Sequence, residues 1–276
     1  MKHGLILHNS LIASDDIVEF AVEAENSGWD GVFLIDHLVY PFNNPQAGQH
    51  ENFVDPWITL AAIASRTRTI SLGTWVTPIP RRQPWQVARD LATLDRLSNG
   101  RVILGAGLGV QLDYEAIGQE WNPREIGRKY DEALEIITSL WTGEPLSFSG
   151  EHYEINELAI LPTPVQKPRI PIIVGCWWPN KSPVRRGARW DGIMPNWPGM
   201  LERGQHDEKA RELVQYYRSL TDTPGDIVLP AGPDNAGSEN IELCNELGAT
   251  WLLTTGIGPS GTYDLSKSRI QEGPPR

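Results

Sequence analysis

His37 is the residue in this chain whose type and position best suit proton transfer. It follows Asp36 at the C-terminal end of the apolar run Val32-Phe33-Leu34-Ile35, and an unperturbed imidazole, titrating near about 6.5, can give or take a proton around neutrality. Other chemistries lack their parts. The histidines His3, His8, His37, His50, His152 and His206 form no His-x-His pair and no His-Glu-x-x-His helix, so no metal site is expected. A glycosidase needs two carboxyls flanking one bond, and only Asp36 is well placed at a strand end. There is no Gly-x-Ser-x-Gly elbow. What remains is a lone histidine, glycine-bearing turns and the tryptophans Trp75, Trp177, Trp178, Trp197 and Trp251 in or beside strand ends. That set suits a large planar ligand.

Two glycine turns follow apolar runs. Gly105-Ala106-Gly107-Leu108-Gly109 and Val174-Gly175-Cys176-Trp177-Trp178-Pro179 let backbone N–H groups approach a phosphate or a flat ring, and on one rim they are expected to hold a phosphate between them. The first is not a dinucleotide fingerprint, which would open a helix at once; the next convincing helix begins near Arg124.

These residues need a scaffold that gathers strand ends. Apolar runs and amphipathic stretches alternate about eight times. Leu5-Ile6-Leu7 begins the series, and Ser14 is placed to cap the next helix, with Asp15 and Asp16 at its positive end and Gly28 at its exit. Val32 to Ile35, Ile70 to Val76 and Val102 to Ala106 follow, with helices opened by Asp55-Pro56 and by Pro84. Next comes a helix with Tyr130, Leu134, Ile137 and Trp141 at helical spacing, stopped by Gly143. Leu146 to Ile160 alternates and carries turn residues, which predicts an antiparallel insertion after this fourth helix. Ile172 to Val174, Gly192 to Met194, Ile227 to Leu229 and Trp251 to Leu253 supply four more strands.

This α/β pattern favours a closed parallel (β/α)8 TIM barrel over an open doubly wound sheet. A barrel carries its chemistry at the C-terminal strand ends, where His8, Asn9, Asp36, His37, Thr77, Gly107, Gly109, Cys176, Trp177, Asn196 and Trp197 are expected to converge. Asp30, Asp191 and Asp226 precede strands and belong to the opposite, stabilising face. The polar loop from Leu38 to Val54, punctuated by glycine and proline, reads as a lid.

The 276 residues are 40% apolar and 21% charged, with no dividing linker, and read as one domain spanning 1–276. A net charge of −11 argues against a nucleic-acid or anionic-membrane partner. No stretch approaches the roughly 20 apolar residues a bilayer needs, and the apolar start is too short for a signal peptide, so a cytoplasmic protein is expected. Cys176 and Cys244 offer no disulfide framework and read as buried thiols.

Five segments carry a family resemblance. Gly28-Trp29-Asp30-Gly31-Val32-Phe33-Leu34-Ile35-Asp36-His37, Leu72-Gly73-Thr74, Thr93-Leu94-Asp95-Arg96-Leu97-Ser98-Asn99-Gly100-Arg101, Gly105-Ala106-Gly107-Leu108-Gly109 and Pro171-Ile172-Ile173-Val174-Gly175 resemble, in order, the successive signatures of the bacterial luciferase-like flavin-dependent oxidoreductases. Gly248-Ala249-Thr250-Trp251 is similar to the last strand of shorter members. The resemblance implies a β/α barrel that binds FMN or the deazaflavin coenzyme F-420 at its C-terminal mouth, and a homodimer.

It also implies hydride transfer between the ring and a small organic substrate stacked over it, with His37 as proton donor or acceptor. Asp36 would orient His37 or bond the cofactor. Thr74, Trp75 and Val76 would shape the ring's back face, with a non-proline cis peptide at Trp75-Val76, although Trp75 is bulkier than the small residue common there. Gly107, Gly109, Gly175 and Cys176 would hold the phosphate side, Trp177 and Trp197 would wall the pocket, and His8, Asn9 and Asn196 would meet the substrate. The Asp36-His37 pair and the uncharged Gly107-Leu108-Gly109 turn resemble the deazaflavin branch. Pro41 and Leu108 stand where the sugar-phosphate dehydrogenase of that branch carries Trp and Glu, so its substrate does not carry over. An FMN monooxygenase using dioxygen and a catalytically silent flavin-binding protein stay open as alternatives.

Overall fold

Each short apolar run becomes a strand, and the strands close into a ring. The computed structural model describes residues 1–10, 12–39, 54–196, 207–232, 238–256 and 265–275. The strands are β1 (Lys2–Leu7), β2 (Gly31–Leu34), β3 (Ser71–Thr74), β4 (Thr77–Pro78), β5 (Val102–Gly107), β6 (Leu146–Ser149), β7 (Glu154–Leu158), β8 (Ile172–Trp177), β9 (Gly192–Asn196), β10 (Asp226–Ala231) and β11 (Trp251–Thr255). The helices are α1 (Ser14–Asn26), α2 (Pro56–Arg66), α3 (Pro84–Ser98), α4 (Gln111–Ala116), α5 (Pro123–Leu140), α6 (Lys181–Gly187), α7 (Asp207–Arg218), α8 (Ser238–Glu246) and α9 (Lys267–Gln271). Strand order is β3-β2-β1-β11-β10-β9-β8-β5-β4, and a further β3–β5 pairing closes the parallel barrel. β3 and β4 form one barrel strand interrupted at Trp75-Val76, where the peptide bond is cis.

The helix boundaries follow from local chemistry. Asp55 caps α2, its carboxylate accepting from the Trp57 and Ile58 N–H groups at 2.9 and 3.0 Å, with Pro56 in the first turn. α1 departs slightly from expectation, since Ala13 occupies the N-cap position and Ser14 already lies inside the helix. The larger departure is α4, which opens directly after the Gly105–Gly109 turn, ahead of the helix that begins at Pro123. β6 and β7 pair antiparallel after α5, as the alternation there predicts.

Strand alternation sorts the core into an outer and an inner layer. Leu5, Leu7, Val32, Leu34, Leu72 and Leu104 pack outward beneath the helices. Ile6, Phe33, Ile35, Ile173, Met194, Val228, Trp251 and Leu253 fill the barrel, where Phe33 meets Trp251 edge-on at 5.6 Å. The acids that precede strands are structural: Asp30 accepts the His3 N–H at 2.8 Å, and Asp191 accepts the Ile172 N–H at 2.7 Å and pairs with Arg169. Among the described residues, no helix is long and apolar enough to cross a membrane.

Candidate active site

Alternation also decides which strand-end side chains reach the mouth. Ile35 lies with the barrel interior, and Asp36 and His37 stand just past the end of β2 at Leu34. Asp36 is buried, and its carboxylate is gripped by Arg81 at 2.6 Å and by Arg82 at 2.9 and 3.1 Å. It therefore does not orient the imidazole. Asp113, at the start of α4, takes that place: its Oδ2 lies 3.1 Å from His37 Nδ1, and Oδ1 accepts the Leu38 and Val39 N–H groups, each at 3.0 Å.

Arg81 ties the two carboxylates together. Its guanidinium donates to Asp113 Oδ2 at 2.6 Å, to Asp36 Oδ1 at 2.6 Å and to the Asp36 carbonyl at 3.0 Å. Arg81, Asp36 and Asp113 are nearly inaccessible, with side-chain exposures of 5%, 3% and 0%. Burial alone would raise the Asp113 carboxyl. The bonds from His37 and the Val39 N–H, with the charge of Arg81, outweigh it and hold the group below the ordinary carboxylate range.

The floor of the mouth is Val76, packed against the inner core, and two glycines stand close around it. A Cβ on Gly107 would stand 2.5 Å from Val76 Cγ2, and one on Gly175 would stand 3.0 Å from the same carbon. The missing side chains make room for Val76. Gly109 serves the turn, with φ of +89° and Pro78 2.9 Å from a Cβ built there. Thr74 faces away from the mouth and locks the break in the strand, donating to the Gly105 carbonyl at 3.0 Å and accepting from Thr77 at 3.1 Å.

Other expected residues divide between mouth and scaffold. His8 is buried and lies 3.2 Å from Thr255 Oγ1, and burial, with the nearby His37 second, drops its pKa to about 3. It is neutral at physiological pH. Asn9 is scaffold rather than substrate contact: its side chain accepts the Ile35 N–H at 3.0 Å and donates to the Val54 carbonyl at 2.7 Å. Cys176 is also corrected, because alternation turns it into the outer layer with Val174 and Val184, where burial raises its thiol pKa. Trp177 and Asn196 are paired in register at the ends of β8 and β9, and Trp177 is exposed. Trp197 and residues 40–53 of the expected lid, with Pro41, lie outside the described residues. Glu125, Glu151 and His152 cluster near α5, but Arg128 pairs with both carboxylates.

Sequence reasoning missed Asp113, Arg81, Arg82 and Thr255. Arg81 and Arg82 had a signal, since they follow the strand-end segment Thr77–Pro78. Asp113 was hidden by the expectation that no helix starts before Arg124.

The family model for luciferase-like monooxygenases matches residues 2–224. The chain belongs to this family. Curated members similar to it include the F420-dependent hydroxymycolic acid dehydrogenase of Mycobacterium tuberculosis, 36% identical over 68% of this chain and 51% of the relative. The F420-dependent glucose-6-phosphate dehydrogenase of Microbacterium testaceum is 35% identical over 65% of this chain and 52% of the relative. The chain thus spans about half the length of these curated family members. Among solved structures, an F420-dependent secondary alcohol dehydrogenase in complex with an F420-acetone adduct superposes with a TM-score of 0.75 at 16% identity, covering 98% of this chain and 96% of that one. That likeness is one of fold.

Proposed function

We propose that this protein is a deazaflavin-dependent oxidoreductase that transfers a hydride between coenzyme F-420 and a small organic alcohol or carbonyl compound at the mouth of the barrel. The observation that carries the reading is His37 just past the end of β2, held by Asp113, which shares the buried Arg81 with Asp36. The sequence relatives named above are F420-dependent dehydrogenases, which favours the deazaflavin over FMN.

The described residues fit a flat coenzyme. Val76 and Trp75 give an apolar floor over the barrel core, Trp177 offers an exposed aromatic wall, and His8 and Thr255 add neutral polar groups. When bound, the coenzyme supplies the hydride acceptor. His37 takes the hydroxyl proton as the carbinol carbon loses its hydride, and returns it in the reverse direction. Asn196 and Trp197 are assigned to the substrate side. The same reading takes the molecule to be a cytoplasmic homodimer acting on small molecules.

Bleaching of oxidised coenzyme F-420 by a panel of primary and secondary alcohols tests the proposal. Turnover with at least one alcohol, lowered ~100-fold or more in His37→Ala while coenzyme binding persists, is the expected result. Dioxygen-dependent turnover with reduced FMN, and none with the deazaflavin, would instead establish the monooxygenase alternative. Binding without turnover of any kind would leave the silent binder.

A further inference from the structure

Resting on the deazaflavin reading, we propose that Lys181 and Arg185 of α6 hold the anionic chain of the coenzyme, the phosphate and carboxylate groups carried beyond its ring. The argument is one of uncommitted charge. The chain has a net charge of −11, and beside His37 its cations are taken: Arg81 bonds Asp36 and Asp113, and Arg82 bonds Asp36 and reaches Asp55. Past β5 the strand order continues to β8, and there the pattern changes. Lys181 and Arg185 are exposed, and among the described residues neither pairs with a carboxylate. Both meet Tyr216 of α7 instead. Lys181 Nζ stands 5.1 Å from the ring centroid, and Arg185 Nε donates to the hydroxyl at 2.9 Å. An aromatic face and a neutral hydroxyl orient a cation without cancelling its charge.

Tyr216 is itself braced from the barrel. Its ring lies 5.9 Å from that of the buried Trp178, whose N–H donates to the Asn196 carbonyl of β9 at 2.8 Å. The turn from β8 into α6 is short, with the Asn180 N–H donating to the Trp177 carbonyl at 2.9 Å. The two cations therefore follow closely on Trp177, the exposed aromatic wall. A ring set against Trp177 sends its anionic arm over this basic patch and away from the carboxylates of Asp36, Asp55 and Asp113.

Tryptophan fluorescence titration tests this by comparing coenzyme F-420 with the same deazaflavin ring on its uncharged ribityl chain. F-420 is expected to bind ~10-fold or more tightly than the uncharged form at low salt, and to lose that advantage as ionic strength rises from about 0.05 to about 0.5 M. Lys181→Ala combined with Arg185→Ala should remove about three- to tenfold of the advantage, with binding of the uncharged form unchanged. Arg189→Ala is the control: its side chain is on the same face of the chain's sequence run and 63% exposed, but it lies 3.6 Å from Asp131, and both affinities should stay at the wild-type values. Equal affinity of wild-type protein for the two ligands, or an F-420 advantage that salt does not weaken, overturns the proposal even if the double variant fails to fold. An advantage kept in full by a folded double variant overturns it as well. In each of these cases the ring still binds and the functional reading stands, whereas a protein that binds neither ligand defeats both.

Discussion

Val76 Cγ2 lies 2.5 Å from the point where a Cβ on Gly107 would stand. The residue following the cis peptide and the end of the neighbouring strand are therefore matched in shape, and the match sets the height of the mouth floor.

Gly107→Ala should accordingly destabilise the protein by ~1–3 kcal/mol through overpacking. Adding Val76→Ala should recover most of that loss, because the pair shares one space. Denaturant unfolding of the single and double variants checks this. Additive losses would show that Val76 is not what Gly107 accommodates.

Arg81→Met should be among the most damaging single changes at the rim. It removes the guanidinium that two carboxylates with side chains 3% and 0% exposed share and leaves Asp113 without an arginine, a loss of ~3–5 kcal/mol for a broken buried pair. Arg82, at 27% exposure, should matter less, with Arg82→Met losing under about half as much. Chemical denaturation of the two variants side by side decides the ranking, and equal effects would contradict it.

His8 predicts an acid sensitivity with a definite sign. Its pKa falls from about 6.5 in the unfolded chain to about 3 in the fold, so below 6.5 the unfolded state binds the extra proton and stability declines as pH drops toward 3. The stabilisation is fully present only above about 6.5. Melting temperature measured from pH 7.5 to 5 should fall, and His8→Asn should flatten that slope. A wild-type melting temperature flat over this interval would refute the burial of a neutral His8.

The barrel was legible because its signal is repetitive. Eight apolar runs separated by amphipathic helices leave few alternatives, and Asp55-Pro56, Pro84 and Gly143 punctuate the helices where the chain does turn. His37 was legible for the same reason, as a polar residue just past a strand. The partners of His37 were not. Asp36 is adjacent in sequence but its carboxylate is taken up by Arg81 and Arg82, whereas Asp113, 76 positions away, arrives through a short helix with no strong apolar period. The glycines illustrate a second limit: their type announced a close approach, but only coordinates show that Val76 is what approaches Gly107 and Gly175. Cys176 and Asn9 sit at the right height on the barrel, and direction in one case and backbone bonding in the other remove them from the chemistry.

The most direct test of the account is titration of the protein with coenzyme F-420, and separately with FMN, followed by tryptophan fluorescence. The predicted result is saturable quenching by the deazaflavin, tighter than by FMN, and reduced in amplitude by Trp177→Phe at the exposed rim. No quenching by either coenzyme, or saturation by FMN alone, would contradict it.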